Sequence, residues 1–177
     1  MPRRRLSPLE IREAGEVFGP ALPYGEIWVH EHARWPTWLA RFAALLTRRP
    51  PPTAGNAVTL GRSLYFPYPL RTEATHFEER IFGDMAWLIH ELTHVWQYVH
   101  HGYGYAIQAA RKNLSLGAKA YDYGGENGLR QAAARNGSFA DFNPEQQGDI
   151  TRDYYLRRKL GLSTEAWEPF LAEVRGD

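Results

Sequence analysis

Residues 84–102, DMAWLIHELTHVWQYVHHG, predict the central helix of the fold and contain the most specific motif in this chain of 177 residues. Apolar side chains recur here at the spacing of an α-helix with one buried face. Asp84 can cap such a helix, and Gly102 can end it. The sequence predicts a long, largely buried helix from Met85 to about His101. Its apolar stripe consists of Met85, Leu88, Leu92, Val95 and Val99, widened by Trp87, Ile89 and Trp96.

The middle of this predicted helix reads His90-Glu91-Leu92-Thr93-His94. Two histidines four residues apart lie about 40° apart around a helix axis, so both imidazoles can bind one cation. Glu91 lies on the adjoining flank, where it can serve as general base towards a water molecule. The pattern arises by chance only about 0.02 times in a chain of this composition. Because two imidazoles and a carboxylate suit Zn²⁺, we expect one zinc ion per chain. The alternative is a buried helix whose polar groups satisfy one another.

The third zinc ligand is expected among the carboxylates that follow the motif. Glu145 lies in the first turn of a helix that Asn143 can cap and Pro144 can begin. Asp149 follows one turn later on the same face, where it can accept a hydrogen bond from the Nδ1–H of a ligand histidine. An ordinary acidic helix N-terminus is the simpler explanation of Glu145. The rival ligands are Glu126 and Asp122.

Other histidines are poor candidates for the metal. His100 follows His94 by six residues, a rotation of about 240° that turns its side chain away. His101 returns to the metal face but lies roughly 10 Å further along the axis. In the sequence His30-Glu31-His32, strand alternation sends Glu31 to the opposite face from both histidines. We therefore interpret this triplet as a strand end at the surface.

Two tyrosines are candidates for contacts with the substrate or with an oxyanion. Tyr121 and Tyr123 lie in a glycine-flanked loop between the two predicted ligand helices. A phenol can donate a hydrogen bond to a developing negative charge. Ordinary packing is the alternative for each of them, because aromatic residues make up 14% of the chain.

Caps, turns and periodicity predict the remaining elements, and together they indicate an α+β fold in which helices dominate. One domain spanning residues 1–177 is expected, with a small sheet or hairpin packed on the central ligand-bearing helix. The predicted elements are a helix from Pro8 to about Phe18 with a Ser7–Glu10 capping box, a strand over 26–30, a helix over 35–48, a proline-rich loop at 50–52, a hairpin over 56–66 turning at Gly61-Arg62, a short helix and loop within 103–125, and helices over 126–135, 144–160 and from a Ser163 cap to about 174.

Composition narrows the class of protein. The chain has 21 Lys and Arg against 20 Asp and Glu, so neither a nucleic acid nor a membrane surface is an expected partner. It has no cysteine, which excludes disulfides, thiol nucleophiles and cysteine-bound metals. No apolar run reaches the roughly 18 residues of a membrane helix. Without a secretory h-region, a cytoplasmic protein is expected, with export by a signal-independent system left open.

The chain resembles the zincin-like proteins of bacterial contractile injection systems: the extracellular injection-system core domain and the Vgr-related proteins of type VI secretion. The resemblance spans residues 6 to about 155. It is carried by the segments 6–10, 17–19, 58–61, 64–66, 88–97, 121–123 and 142–147, which read LSPLE, VFG, VTLG, LYF, LIHELTHVWQ, YDY and FNPEQQ. A wider resemblance to gluzincin peptidases implies that His90, His94 and Glu145 bind zinc and that Glu91 is the general base.

The expected function is therefore zinc-dependent hydrolysis of a peptide or protein substrate. Partners among the components of a contractile injection system are implied by the resemblance alone. The predicted hairpin can offer an edge strand to an extended peptide. Two other roles stay open. One is a catalytically silent structural or loading component of a secretion machine. The other is a toxin that uses the same peptidase chemistry on a target cell.

Overall fold

A computed structural model describes residues 2–35, 56–116 and 121–177, with only the helical backbone described for 103–116. Its short strands all lie before residue 66, and most of its helices follow them. The elements are β1 (Arg3–Arg5), α1 (Pro8–Phe18), a 3₁₀ turn (Tyr24–Glu26), β2 (Trp28–His30), β3 (Val58–Leu60), β4 (Ser63–Tyr65), α2 (Ala74–Glu78), α3 (Gly83–Leu116), α4 (Gly125–Ala134), a second 3₁₀ turn (Phe139–Asp141), α5 (Pro144–Leu160) and α6 (Glu168–Arg175). The helix-dominant α+β prediction is confirmed. The helix predicted over 35–48 and the loop at 50–52 lie almost wholly outside the described residues.

Helix α3 is the predicted central helix. It begins at Gly83, and Gly102 interrupts it with a φ of 75°, which a residue with a Cβ rarely adopts. The predicted stop at Gly102 is thus confirmed as a kink, after which a second helical segment continues to Leu116. The apolar stripe is buried except at Val99, which is 37% exposed. Asp84 is not the cap that we predicted, because it lies within the first turn and accepts hydrogen bonds from the backbone N–H and Nε of Arg71.

The described strands form one sheet in the order β1-β2-β4-β3. β3 and β4 are the predicted hairpin, with Leu60 opposite Ser63 and a φ of 60° at Gly61 in the two-residue turn. β2 pairs parallel with β4 and antiparallel with β1. The predicted strand over 26–30 is shorter than expected, because Tyr24–Glu26 forms a 3₁₀ turn. β3 lies at an edge of the described sheet.

β1 was not predicted, because its sequence, Arg3–Arg5, has no apolar alternation. Its arginines instead use partners on both faces of the strand. Arg4 pairs with Glu10 and Glu31, whereas the guanidinium groups of Arg3 and Arg5 lie 4.7 and 3.6 Å from the Trp28 ring. A basic run can therefore become an edge strand when a neighbouring strand supplies an aromatic face.

Both strong helix caps are as predicted. Ser7 and Glu10 form a capping box at α1, and Asn143 caps α5 with Pro144 in the first turn. The last helix differs from the prediction, because α6 begins at Glu168 rather than after Ser163. Residues 164–167 form a turn in which the Trp167 N–H donates to the Thr164 carbonyl. None of the helices in the described part of the chain combines the length and hydropathy that a bilayer crossing requires.

Candidate metal centre

The motif histidines on α3 face the N-terminal turns of α5. Their ring centroids are 5.1 Å apart. The Nε2 atoms of His90 and His94 lie 3.3 and 3.8 Å from one oxygen, Oε2 of Glu145. The structure thus brings together the three side chains that the sequence singled out as a ligand set, although 50 residues separate His94 from Glu145 along the chain.

The N-terminus of α5 sets the position of Glu145 and Asp149. Asn143 accepts hydrogen bonds from the backbone N–H groups of Glu145 and Gln146, at 3.0 and 3.1 Å. One turn later, Oδ1 of Asp149 accepts a hydrogen bond of 2.9 Å from Nδ1 of His90. With Nδ1 held by Asp149, the opposite ring nitrogen of His90, Nε2, is directed at Glu145.

Gly148 allows α5 to approach α3 this closely. A Cβ atom at this position would lie 2.6 Å from Cε1 of His90, well inside van der Waals contact. A glycine in the middle of α5 thus permits close packing against the ligand helix.

Glu91 lies on the flank of α3 that faces the hairpin. Its side chain is buried, and its Oε2 atom accepts a hydrogen bond of 2.7 Å from Oγ1 of Thr59 in β3. One carboxylate oxygen of Glu91 and one ring nitrogen of each histidine, the atoms that could bind a metal, all lie within 4.8 Å of one another. Sequence reasoning missed Thr59, since nothing in the local pattern pairs it with a residue 32 positions away.

Gln97 is a second residue that sequence reasoning missed. Its Oε1 atom accepts a hydrogen bond of 2.9 Å from Nδ1 of His94. The spacing of three residues on one helix is a signal that could have identified it. Each motif histidine thus donates its Nδ1–H to a separate acceptor.

Charge and burial together determine the protonation of the cluster. Burial lowers the pKa of His90, but the hydrogen bonds to Asp149 and Glu145 outweigh it and raise this pKa to about 10. Burial raises the pKa of Glu145, yet the hydrogen bond from His90 and the charge of His94 bring it down to about 2. In the metal-free chain, this raised pKa favours the protonated form of His90 between the two carboxylates. Two convergent Nε2 atoms, a carboxylate and an acceptor on each Nδ1 also fit the ligand chemistry of Zn²⁺.

The two tyrosines occupy different places. The Tyr121 ring is stacked 6.5 Å from that of His90. Burial, together with the charge and the hydrogen bond of Glu145, raises the pKa of Tyr121. The Tyr123 hydroxyl instead donates to Oδ2 of Asp153 at 2.7 Å, so it is directed at the middle of α5 and not at Glu145 in the first turn of that helix.

The rival carboxylates have other partners. Glu126 forms ion pairs with Arg130 and Arg157, at 2.9 and 3.3 Å. Asp122 accepts a hydrogen bond from the backbone N–H of Gly124. Neither joins the histidines, so the geometry favours Glu145 among the three.

The remaining histidines lie outside the cluster, as expected. His100 donates to the Trp96 carbonyl, and both His100 and His101 pack against the Trp96 ring. His30 stacks on Tyr65, while the neighbouring Glu31 accepts hydrogen bonds from Arg4. His30 and Glu31 therefore lie at the end of strand β2 and not in the histidine cluster.

The chain is similar to part of a much longer protein. Over 155 residues it is 30% identical to the type VI secretion system spike protein VgrG2b of Pseudomonas aeruginosa. The alignment covers 88% of this chain but only 13% of that relative. No family model matches the chain, and no solved structure matches it significantly. The similarity supports a link between this chain and Vgr-related proteins.

Proposed function

We propose that the protein is a zinc-dependent metallopeptidase of zincin-like type. The observation that carries this proposal is the convergence of the His90 and His94 Nε2 atoms on Glu145 Oε2, with the Glu91 carboxylate beside them. His90, His94 and Glu145 would hold the metal. When bound there, zinc would supply Lewis-acid chemistry, making a water molecule more acidic and polarising a peptide carbonyl.

Glu91 would carry out the proton transfers. Its carboxylate would take the proton of the attacking water and pass it to the departing amine nitrogen. The hydrogen bond from Thr59 holds Oε2 in place, which leaves Oε1 to receive the proton. Tyr121, stacked over His90, is the tyrosine whose position suits a contact with the reacting carbonyl.

An extended peptide would bind along β3. This strand lies at the edge of the described sheet, and its central residue, Thr59, contacts Glu91 directly. Backbone hydrogen bonds to an edge strand would align a substrate of varied sequence beside the histidines. A peptide or protein substrate is therefore the class that this arrangement favours.

The similarity to a spike protein suggests where such an activity would operate. We propose that the protein acts with a type VI secretion system, as an effector or an accessory of the machine. This proposal rests on the 30% identity over 155 residues, which concerns a small part of the relative.

Metal analysis and a peptidase assay test the proposed chemistry. Untagged protein purified without chelator should contain about one zinc per chain by elemental mass spectrometry. Glu91→Gln should retain the zinc but lose activity on casein or a peptide library by at least about 100-fold. Glu145→Gln should lose the zinc as well. Full activity in Glu91→Gln would remove the assignment of the general base.

A second candidate is a silent scaffold. This role is favoured by the contacts of His90, because Asp149 and Glu145 provide a polar partner for each nitrogen of the buried imidazole without a metal. The protein would then be a structural or loading component of the secretion machine. Tight binding of a hydroxamate to the zinc-loaded chain would favour the enzyme, because the ligand needs an open coordination position. No zinc uptake and no hydrolysis would favour the scaffold.

A further inference from the structure

We propose that Gln97 is a positioning residue that fixes the tautomer of His94, and that backbone carbonyls dictate the orientation of its amide through Gln147. The inference deepens the proposed metal site, and it rests on that proposal only where zinc affinity is measured. It follows from the direction of each hydrogen bond in a buried chain of two amides and one imidazole.

The series of hydrogen bonds starts at two backbone carbonyl groups, which act as acceptors. Nε2 of Gln147 donates to the carbonyl oxygens of Phe139 and Phe142, at 2.9 and 3.0 Å. A carbonyl oxygen can only accept, so the NH₂ group of Gln147 must face both of them. Its Oε1 atom is thereby turned towards Gln97.

The orientation of the Gln97 amide follows from that of Gln147. Nε2 of Gln97 donates to Oε1 of Gln147 at 2.8 Å and to the backbone carbonyl of Pro144 at 3.1 Å. Both of its N–H groups are then used on oxygens that can only accept. A flipped amide would set oxygen against oxygen at a site where Gln97 is only 2% exposed, at a cost of about 1–3 kcal/mol for each unmade hydrogen bond.

His94 is the last residue in this series of hydrogen bonds. Oε1 of Gln97 faces Nδ1 of His94 at 2.9 Å, so the neutral imidazole must carry its hydrogen on Nδ1. The lone pair is then on Nε2, the atom that lies 3.8 Å from Glu145 Oε2. Because Pro144 immediately precedes Glu145, the same amide also ties α3 to the residue beside the third proposed ligand.

The two histidines are therefore oriented by different groups. Asp149, which also binds Arg152, orients His90. An uncharged amide orients His94 and adds no negative charge to the cluster. Outer hydrogen-bond partners of this kind typically change metal affinity by about 10- to 100-fold.

The tautomer can be measured directly in the metal-free chain. Long-range ¹H–¹⁵N spectra of the imidazoles at mildly alkaline pH distinguish hydrogen on Nδ1 from hydrogen on Nε2. We expect Nδ1–H for His94 in the wild-type chain. In Gln97→Met, which has a similar volume but no acceptor, we expect a mixture of tautomers.

Metal affinity provides the second readout. Titration with Co²⁺ and Zn²⁺ should give a Kd that is about 10- to 100-fold higher for Gln97→Met than for wild type, with an altered Co²⁺ absorption spectrum. Tyr155→Phe is the matched control. It removes the buried hydrogen bond that Tyr155 of α5 donates to Glu13 of α1, and it should lower stability without changing the affinity or the spectrum.

Two results would overturn the inference. One is Nε2–H for His94 in the wild-type chain, and the other is a Gln97→Met variant with unchanged tautomer and unchanged Kd. A wild-type chain that binds neither metal would contradict the proposed function instead. The tautomer measurement would still decide the role of Gln97 in that case.

Discussion

A single hydrogen atom at Gly148 determines how closely α5 can pack on the ligand helix. In an exposed helix, glycine costs about 1 kcal/mol relative to alanine, because it loses more backbone entropy on folding. At this position a methyl group would meet the His90 ring at 2.6 Å. The local cost of glycine is therefore outweighed by the contact that it permits between two helices.

Gly148→Ala should accordingly destabilise the protein, although the same change usually stabilises a helix. We expect a loss of about 1–3 kcal/mol in unfolding free energy, because the His90 ring must move away from the added methyl group. Gly15→Ala in α1 is the matched control, since a Cβ there meets nothing within 4 Å. That variant should gain up to about 1 kcal/mol. Urea unfolding measures both, and equal effects of the two changes would contradict this account of Gly148.

The junction of α1 with the sheet depends on one buried carboxylate. Glu10 accepts hydrogen bonds from the Ser7 backbone N–H, from the Arg4 guanidinium and from the Thr72 hydroxyl. Burial alone would raise the pKa of Glu10, but these donors outweigh it and lower the pKa below its usual value of 4.5. A helix cap thus also anchors β1 and the segment before α2.

Acid should weaken this junction. Because the pKa of Glu10 is lower in the folded chain, its stabilising contribution is full well above pH 4.5 and is lost as the pH falls through the folded value. Glu10→Gln should lower the unfolding free energy by about 1.5–3 kcal/mol at neutral pH. The difference in unfolding free energy between the variant and the wild type should become smaller in acid. Guanidinium unfolding at several pH values measures this difference.

Glu78→Gln, at an exposed position of α2, is the control for this series. It should change the unfolding free energy by less than about 0.5 kcal/mol at every pH. If Glu10→Gln showed the same deficit at all pH values, the shifted pKa of Glu10 would not be the cause.

At the scale of the whole molecule, the proposed metal centre joins two helices that meet only in the folded chain. His90 and His94 come from α3, and Glu145 comes from α5. The unfolded chain has no such preformed site, so the free energy of metal binding would add to the free energy of folding. Thermal stability is therefore a readout of the site that does not depend on catalysis.

Zinc should raise the melting temperature. At a free zinc concentration of 100 times Kd, the gain is about 2.7 kcal/mol, or about 5–10 °C for a chain of this size. EDTA should reverse the shift, and Glu145→Gln should abolish it. His100→Ala, an exposed histidine on the same helix, should retain it. Calorimetry with and without zinc measures the shift in melting temperature for each variant. An undiminished shift in Glu145→Gln would mean that the metal binds elsewhere.

Features that depend on neighbours along the chain could be predicted from local sequence. The capping residues Ser7 and Asn143, the turn at Gly61-Arg62 and the break at Gly102 follow from local backbone chemistry. The common face of His90 and His94 follows from the helical repeat of 3.6 residues. These predictions needed no knowledge of what packs against each element.

Contacts between distant residues became visible only in the folded chain. The tertiary structure paired Glu91 with Thr59 and Gln97 with Gln147, and it made a strand of the basic run Arg3–Arg5. It also favoured Glu145 over the carboxylates Glu126 and Asp122. Such pairings depend on how the helices and the sheet pack, which is set by the sum of many weak contacts across the chain. The spacing of residues along the sequence does not report these long-range contacts.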